Sequence, residues 1–293
     1  MSSVALLLVL VSAGAHAYWN FLLKRAGGTR PFIALSKAAE AVVFLPLFLA
    51  VVRGLPAGTL GRVAPYAAVA TLLVLASYAT LGAAYRVGDL SFTYPLARGG
   101  MLLFLPVLDA FVFGERVGPL GWIAVAAIVA GVLTMQLPRL AVAELRTLGA
   151  RLRGRPTLLA LLMALLLAVG VVWDKFSVRA VPLYAYFYAY TAGTGAVYLA
   201  VALRADGAAA VRATWAAHGR AAVAVGALSG TSYGLVLLAL RAGASTYVVG
   251  VRQLSIVVGV WLGARLLGEI VGPARRAGVA LLVAGCLLMA AGR

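Results

Sequence analysis

Ten apolar runs alternate along the chain with short segments rich in Gly, Pro and Arg. A helix needs about 20 apolar residues to cross a bilayer, since each residue adds about 1.5 Å to its length. The pattern therefore predicts an all-α integral membrane protein with ten transmembrane helices. The predicted helices span residues 3–23, 32–52, 64–85, 90–113, 119–137, 157–178, 183–203, 221–240, 245–267 and 275–291.

The longest polar interval, residues 138–156, divides these runs into two sets of five. Several residues recur in the same order in both sets: Trp19 and Trp173, Asn20 and Asp174, Ser77 and Ser232, Tyr78 and Tyr233, Arg98 and Arg252, Gly114 and Gly268, Glu115 and Glu269. Because five is an odd number of crossings, the second set enters the membrane from the opposite side, as in inverted-repeat transporters. We predict a first five-helix repeat over 1–137, a basic connecting loop over 138–156 and an inverted second repeat over 157–293.

Composition excludes a soluble globular protein. Hydrophobic residues make up 64% of the chain and charged residues 11%, against about 45–50% and about 25% in soluble domains. The single cysteine is Cys286 and the two histidines are His16 and His218, so the sequence predicts no metal site and no cofactor. It also contains no grouping of serine, histidine and acid typical of a membrane enzyme, and we predict that the protein is not an enzyme.

The formal net charge of +17 predicts topology rather than nucleic-acid binding. Most arginines stand between the apolar runs and no nucleic-acid recognition motif accompanies them. Fifteen Lys and Arg residues fall on the side of the central loop and six on the other side. This bias predicts a multi-pass protein of a bacterial-type inner (plasma) membrane, with the central loop in the cytoplasm and both termini outside. The first run lacks a preceding basic segment, so we interpret it as a retained helix and not as a signal peptide.

Five segments carry a family resemblance: residues 16–24, 94–99, 113–116, 245–257 and 267–269. With these motifs in both halves, the chain resembles the EamA family of the drug/metabolite transporter superfamily. The resemblance implies ten helices, alternating access, and a central cavity lined by helices 1, 3, 4, 6, 8 and 9. Characterised members of that family have cytoplasmic termini, which is the opposite of what the charge distribution predicts here.

Arg98 and Arg252 are the most informative charges, because an arginine at the bilayer centre costs about 2.5–3.5 kcal/mol on insertion scales. Each lies about eight residues into its helix, which puts both near the membrane midplane. Two roles remain open: the guanidiniums bind an anionic group of the substrate, or they are structural locks. Pro95 and Gly99, which the second half lacks, predict that the fourth helix is kinked and the ninth straighter.

Other residues are candidates by position. The remaining predicted substrate-binding residues are Trp19, Asn20, Trp173, Asp174, Tyr78, Tyr94, Tyr233, Tyr247 and Gln253. Asp174, Glu40 and His16 are candidates for proton coupling, because buried carboxylates and histidines can take up and release protons. The two tryptophans are either aromatic anchors at the membrane interface or a pair of gates.

Structural or solvent-exposed roles are expected for several other charged residues. Glu40 is predicted to pair with Lys37, three residues away on the same helix. Lys175 is predicted to extend to the membrane interface, and Glu115 and Glu269 to be solvated or to lock their loops.

The predicted function is secondary active transport, as an exporter of a small polar or amphipathic metabolite such as an amino acid, organic anion or drug. Protons or the substrate gradient would drive it. The alternative is a flippase of a phosphorylated lipid, with Arg98 and Arg252 binding the headgroup. The predicted partners are the substrate, which can be anionic, and membrane lipid, with no nucleic acid; the oligomeric state stays open.

Overall fold

The computed structural model describes residues 2–87 and 90–292, without the side chains at positions 78, 81, 85–87, 90–94, 142, 145 and 151. In this part the chain is α-helical, with turns and short irregular segments between helices and no strand. The helices are α1 (Ser3–Arg25), α2 (Arg30–Val52), α3 (Thr59–Val87), α4 (Leu90–Phe113), α5 (Pro119–Thr134), α6 (Val142–Leu152), α7 (Arg155–Ala180), α8 (Leu183–Ala205), α9 (Gly207–Ala242), α10 (Ser245–Arg252), α11 (Leu254–Leu266) and α12 (Pro273–Ala291).

Eight segments of the described chain are long and apolar enough to cross a membrane. They lie in α1, α2, α3, α4, α7, α9, the continuous stretch of α10 and α11, and α12. The protein is therefore a multi-pass, all-α membrane protein. Two other predicted crossings differ from these eight: α5 is only 16 residues long, and α8, although 23 residues long, contains five tyrosines that lower its hydropathy.

The sequence predicts a loop over residues 138–156, but this segment contains a helix, α6. Its leucines, Leu148 and Leu152, pack against a buried cluster that includes Leu96 and Met163. This packing stabilises an amphipathic helix, on which Arg146 is exposed. We call the end of the molecule where α6 packs the connector end.

The structure also corrects the start of α9, predicted at residue 221 but found at Gly207. Its first turns contain Arg212, His218 and Arg220, which obscure the apolar pattern. A helix of 36 residues is about 54 Å long, whereas the apolar core of a bilayer is about 30 Å thick. The first turns of α9 thus extend past the apolar core if the helix runs near the membrane normal.

The structure shows a helix break in the second half of the chain, and not in α4 where the sequence predicts a kink. α4 is continuous from Leu90 to Phe113 despite Pro95 and Pro106, because neighbouring helices can satisfy the backbone groups that a proline leaves free. The break lies instead at Gln253, between α10 and α11. The Gln253 N–H bonds the Gly250 carbonyl at 3.2 Å, the tighter i→i−3 pattern of a 3₁₀ turn.

Helices of the first set pack mainly on helices of the second. α1 packs on α9 and α11, α7 packs on α3 and α4, and α2 packs on α8 and α9. α5 packs on α12 through glycines: a Cβ at Gly131 would lie 2.7 Å from the Gly278 carbonyl oxygen. Small residues of this kind let two membrane helices approach closely. These contacts leave a central space between the two sets, which holds the candidate site.

Candidate functional site

Two cavities meet in the middle of the helix bundle. The larger has a volume of about 520 Å³ and extends between α1, α4, α5 and α11 to the connector end, where Lys24 and Glu269 line it. The smaller, of about 190 Å³, lies between α1, α2, α3, α7, α8 and α9. His16 and Arg98 line both cavities. The two spaces therefore form the two parts of one candidate site.

Arg98 and Arg252 converge on one side chain, the imidazole of His16. An Arg98 Nη2 atom lies 2.7 Å from His16 Nε2, and an Arg252 Nη2 atom lies 3.0 Å from His16 Nδ1. A guanidinium can only donate, and a neutral imidazole has one acceptor nitrogen. His16 therefore accepts a hydrogen bond from one arginine at most, and the other contact brings two N–H groups together. An anion between the guanidiniums would supply the acceptors that the ring lacks.

Three polar side chains hold this group in position. The amide of Asn20 donates to the His16 carbonyl at 2.7 Å, and the amide of Gln253 donates to the Arg98 carbonyl at 3.2 Å. Arg252 donates to the hydroxyl of Ser232 at 3.3 Å. Ser232 is fully buried and exchanges hydrogen bonds with Ser12 of α1. The break at Gln253 thus places an amide where it can fix the backbone beside Arg98.

The acidic side of the smaller cavity is formed by Asp174. Its Oδ1 atom accepts hydrogen bonds from two tyrosine hydroxyls, Tyr186 at 2.5 Å and Tyr233 at 2.9 Å. Tyr190 packs against Tyr233, with ring centroids 4.9 Å apart, and also lines this cavity. Among the described residues, no lysine or arginine forms an ion pair with Asp174.

Glu40 is also in this cavity, but it is surrounded by partners. The predicted pair with Lys37 is confirmed at 2.8 Å. Ser229 donates to Glu40 Oε2 at 2.5 Å, and Thr191 donates to Oε1 at 3.3 Å. The Glu40 side chain is 1% exposed, so these bonds compensate for its removal from water. They also connect α2 to α8 and α9.

Lys175 does not extend to the membrane interface as predicted, because its side chain is fully buried. Its ammonium forms an ion pair with Glu115, and Arg179 also bonds Glu115 at 3.2 Å. The Phe113 ring lies under the Lys175 ammonium, 4.6 Å from the ring centroid. A partner carboxylate and an aromatic face replace water around the ammonium, which explains why Lys175 need not reach the interface.

Glu269, the equivalent of Glu115 in the second half, belongs to a more exposed cluster of charges. Glu269 pairs with Lys24 and, at 3.4 Å, with Arg275. Lys24 is 65% exposed, whereas Lys175 is 0% exposed. We call the end formed by Glu115, Lys175 and Arg179 the sealed end. The difference in exposure agrees with a cavity that extends toward the connector end.

The two predicted tryptophans lie in different surroundings. Trp19 lines the smaller cavity, and its ring meets that of His16 edge-on at 5.1 Å. Trp173 lies instead against Tyr66, to whose carbonyl oxygen its indole N–H donates at 2.9 Å. Tyr247 packs beside Gly121 of α5, outside the residues that line the cavities. The side chains of Tyr78 and Tyr94 lie outside the described part of the structure.

Sequence reasoning missed Tyr186, Tyr190 and Ser229. The signal for the two tyrosines was present, because they are four residues apart on α8 and thus share one helix face. The role of Ser229 has no comparable signal, because a serine in an apolar helix usually bonds its own backbone. Among the described residues, no group of three potential metal ligands comes together.

Comparisons with known proteins add a fold similarity. No family model matches the chain, and no curated protein matches it. Chains of known structure do match, including one described as "Crystal structure of protein", with a TM-score of 0.75 and 18% identity over 98% of this chain and 96% of that one. At this level of identity the similarity shows a shared fold over nearly the whole length and carries nothing about substrate.

Proposed function

We propose that this protein is a secondary active transporter of a small organic anion or amphipathic metabolite, working by alternating access. The observation that carries the proposal is the convergence of Arg98 and Arg252 on His16 in the central cavity. Two guanidiniums held near mid-membrane are a costly arrangement that marks a substrate or ion pathway in membrane proteins. Their donor groups match the acceptor oxygens of a carboxylate, sulfonate or phosphate.

The proposal includes an architecture of ten transmembrane helices in two inverted five-helix repeats, as in the EamA family that the motifs resemble. Equivalent backbone details support it. Gly114 and Gly268 have φ angles of 68° and 67°, left-handed values that favour glycine at a helix end. In each half the next residue, Glu115 or Glu269, donates its N–H to the carbonyl six residues earlier. Two helix ends built alike are expected from a duplication.

Helix packing supports the same architecture. The contact of Gly131 on α5 with Gly278 and Leu282 on α12 has a counterpart in the contact of Gly285 with Ala124 and Ile128. All three pairs of counterparts are separated by 154 positions: 131 and 285, 124 and 278, 128 and 282. Reciprocal contacts of this kind are typical of a twofold axis. An axis through such a bundle relates one helix set to the other, as alternating access between inverted repeats requires.

The experiment is flux through proteoliposomes that contain the purified full chain. Radiolabelled carboxylates, sulfonates and phosphate monoesters are offered with and without a pH gradient. We expect protein-dependent exchange of at least one of these anions. Exchange of none of them, by protein that melts cooperatively in detergent, would contradict the proposal.

The arginine variants test which role Arg98 and Arg252 have. Arg98→Lys and Arg252→Lys keep the charge but lose the planar pair of donors. We expect each to lower anion exchange at least about tenfold, the loss of roughly one charged hydrogen bond, with a melting temperature close to that of the wild type. Variants that fail to fold would indicate structural locks instead of ligands. Arg241→Lys, at the end of α9, is the matched control and should transport normally.

A further inference from the structure

Asp174 differs from the other two candidates for proton coupling in what surrounds it. Glu40 is already neutralised by Lys37 and bonded by two hydroxyls. His16 lies between two guanidiniums, whose positive charges oppose a further charge on the imidazole. Asp174 has hydrogen bonds from tyrosines on one oxygen and faces the cavity that contains Arg98 and Arg252. It is the acid best placed to change charge next to a bound anion.

The charges that face Asp174 define what its protonation would do. The smaller cavity is lined by Lys37 and Glu40 of α2, His16 of α1, Arg98 of α4, Tyr190 of α8, Tyr233 of α9 and Arg252 of α10, and Tyr186 of α8 bonds Asp174 directly. The described residues that α3 contributes to this lining are not titratable. Three cations and two carboxylates leave one net positive charge when His16 is neutral. Protonation of Asp174 raises it to two.

We infer that Asp174 is the proton-coupling residue of the site, and that its protonation favours binding of the anion, so that proton and anion are carried together. This inference rests on the proposed function. With Asp174 ionised, its negative charge repels an anion at Arg98 and Arg252 across a cavity that screens charge poorly. With Asp174 protonated, that repulsion is absent. By reciprocity, a bound anion strengthens proton binding at Asp174 by the same factor.

The transport step balances in protons and charge. A proton from the aqueous phase on the open side binds a carboxylate oxygen of Asp174 as the anion binds the arginines. Both are then carried through the conformational change, and both leave on the other side. An inward proton gradient would therefore drive uptake of the anion, in contrast to the export predicted from the sequence.

Binding of benzenesulfonate to the full chain in detergent tests the linkage. This probe keeps one negative charge throughout the range, so any pH dependence belongs to the protein. We expect wild-type affinity to increase about tenfold between about pH 8 and about pH 5, a typical size for coupling between two sites. Asp174→Asn keeps an acceptor for the tyrosines but cannot ionise. It should bind as tightly at the higher pH as the wild type does at the lower pH.

Two further variants separate the other titratable groups. Asp206→Asn removes an acid that pairs with Arg30, outside the cavity, and should behave as the wild type does. Glu40→Gln should keep the pH dependence. If the Asp174→Asn protein keeps the wild-type pH dependence, or if the Glu40→Gln protein loses it, the assignment to Asp174 is wrong.

Flux measurements distinguish failure of this inference from failure of the proposed function. With acid outside proteoliposomes, wild-type protein should accumulate radiolabelled benzenesulfonate, whereas the Asp174→Asn protein should exchange it without accumulation. Wild-type exchange without any response to the pH gradient overturns proton coupling and leaves the transporter standing. If the wild type neither binds nor exchanges this anion, the anion site and the coupling built on it both fall.

Discussion

At the scale of single residues, Asp109 illustrates how a membrane helix uses a buried carboxylate. Asp109 of α4 is fully buried, and its Oδ2 atom accepts from both the backbone N–H and the hydroxyl of Thr246, at 2.8 and 2.7 Å. Thr246 is in the first turn of α10, where backbone N–H groups have no partner within the helix. The carboxylate of one half therefore caps a helix of the other half.

Removal of this cap should destabilise the protein. Asp109→Ala leaves the Thr246 N–H buried without an acceptor, which costs about 1–3 kcal/mol. We expect a clearly lower melting temperature in detergent. Ser245→Ala is the matched control, because the Ser245 hydroxyl is buried and has no hydrogen-bond partner among the described residues. Its loss should be neutral or slightly stabilising, and equal effects of the two variants would contradict this role for Asp109.

At the scale of helices and their ends, the two glutamate clusters should differ in strength. Glu115→Gln leaves the buried Lys175 ammonium without its carboxylate, a change that costs about 3–5 kcal/mol for a fully buried pair. Since Glu115 is 27% exposed, we expect the lower part of that range. Glu269→Gln breaks a pair whose lysine is mostly exposed, worth about 0–1 kcal/mol.

Thermal melting of the two variants in detergent measures this difference. Lys175→Met in the Glu115→Gln background should restore much of the loss, because a buried ion pair can often be replaced by apolar side chains. A Glu269→Gln variant that is as unstable as Glu115→Gln would show that the two ends are equally closed.

The Glu269 cluster also predicts a pH dependence. The hydrogen bond from Lys24 holds the pKa of Glu269, which lies in the loop after α11, below its usual value. A carboxyl with a lowered pKa in the folded state stabilises the protein above its ordinary pKa, and this stabilisation is lost as the pH falls through the lowered value. The difference in melting temperature between wild type and Glu269→Gln should thus be present near about pH 7 and shrink as the pH falls below the ordinary glutamate pKa of about 4.3. A difference that increases in acid would refute the pairing.

The contact between α5 and α12 should tolerate no added methyl group at its closest point. A Cβ at Gly131 would lie 2.7 Å from the Gly278 carbonyl oxygen and 2.8 Å from the Leu282 nitrogen. Gly131→Ala should therefore cost about 1–3 kcal/mol through forced separation of the two helices. At Gly14 of α1 a Cβ would meet nothing within 4 Å, so Gly14→Ala should be neutral or stabilising. Melting in detergent compares the two, and equal tolerance would argue against close packing at Gly131.

At the scale of the whole molecule, the charge distribution predicts the orientation in the membrane, with the central segment in the cytoplasm and both termini outside. Cys286 is 1% exposed and should give little background in labelling with a membrane-impermeant maleimide. We expect Thr147→Cys, on the exposed face of α6, to be labelled only when the cytoplasmic side is accessible. Ser2→Cys should be labelled from outside intact cells. The reverse pattern would place the termini in the cytoplasm.

The sequence allowed most of the helix positions to be predicted from hydropathy, and the similarity between its two halves related Arg98 to Arg252. It did not allow prediction of what faces each charge. The burial of Lys175 depends on the rotation of α7 against α4, and the position of Tyr186 at Asp174 depends on the approach of α8. The rotation and the approach of a helix are determined by its packing against segments that are distant in the sequence. The break at Gln253 was missed because no proline or glycine occupies that position.

The long α9 offers a practical route to imaging the protein. Its first turns are braced by Val211 against Ala34 and Ala202, so they should move with the bundle as a rigid extension. A 30.2 kDa chain that is mostly enclosed by detergent gives electron microscopy little to align. A soluble helical domain inserted at Gly207 and continued in helical phase into α9, at about 3.6 residues per turn, would provide a fiducial marker outside the micelle. Moving the fusion point by one residue would rotate the marker by about 100° and allow a position clear of the cavity entrance to be chosen.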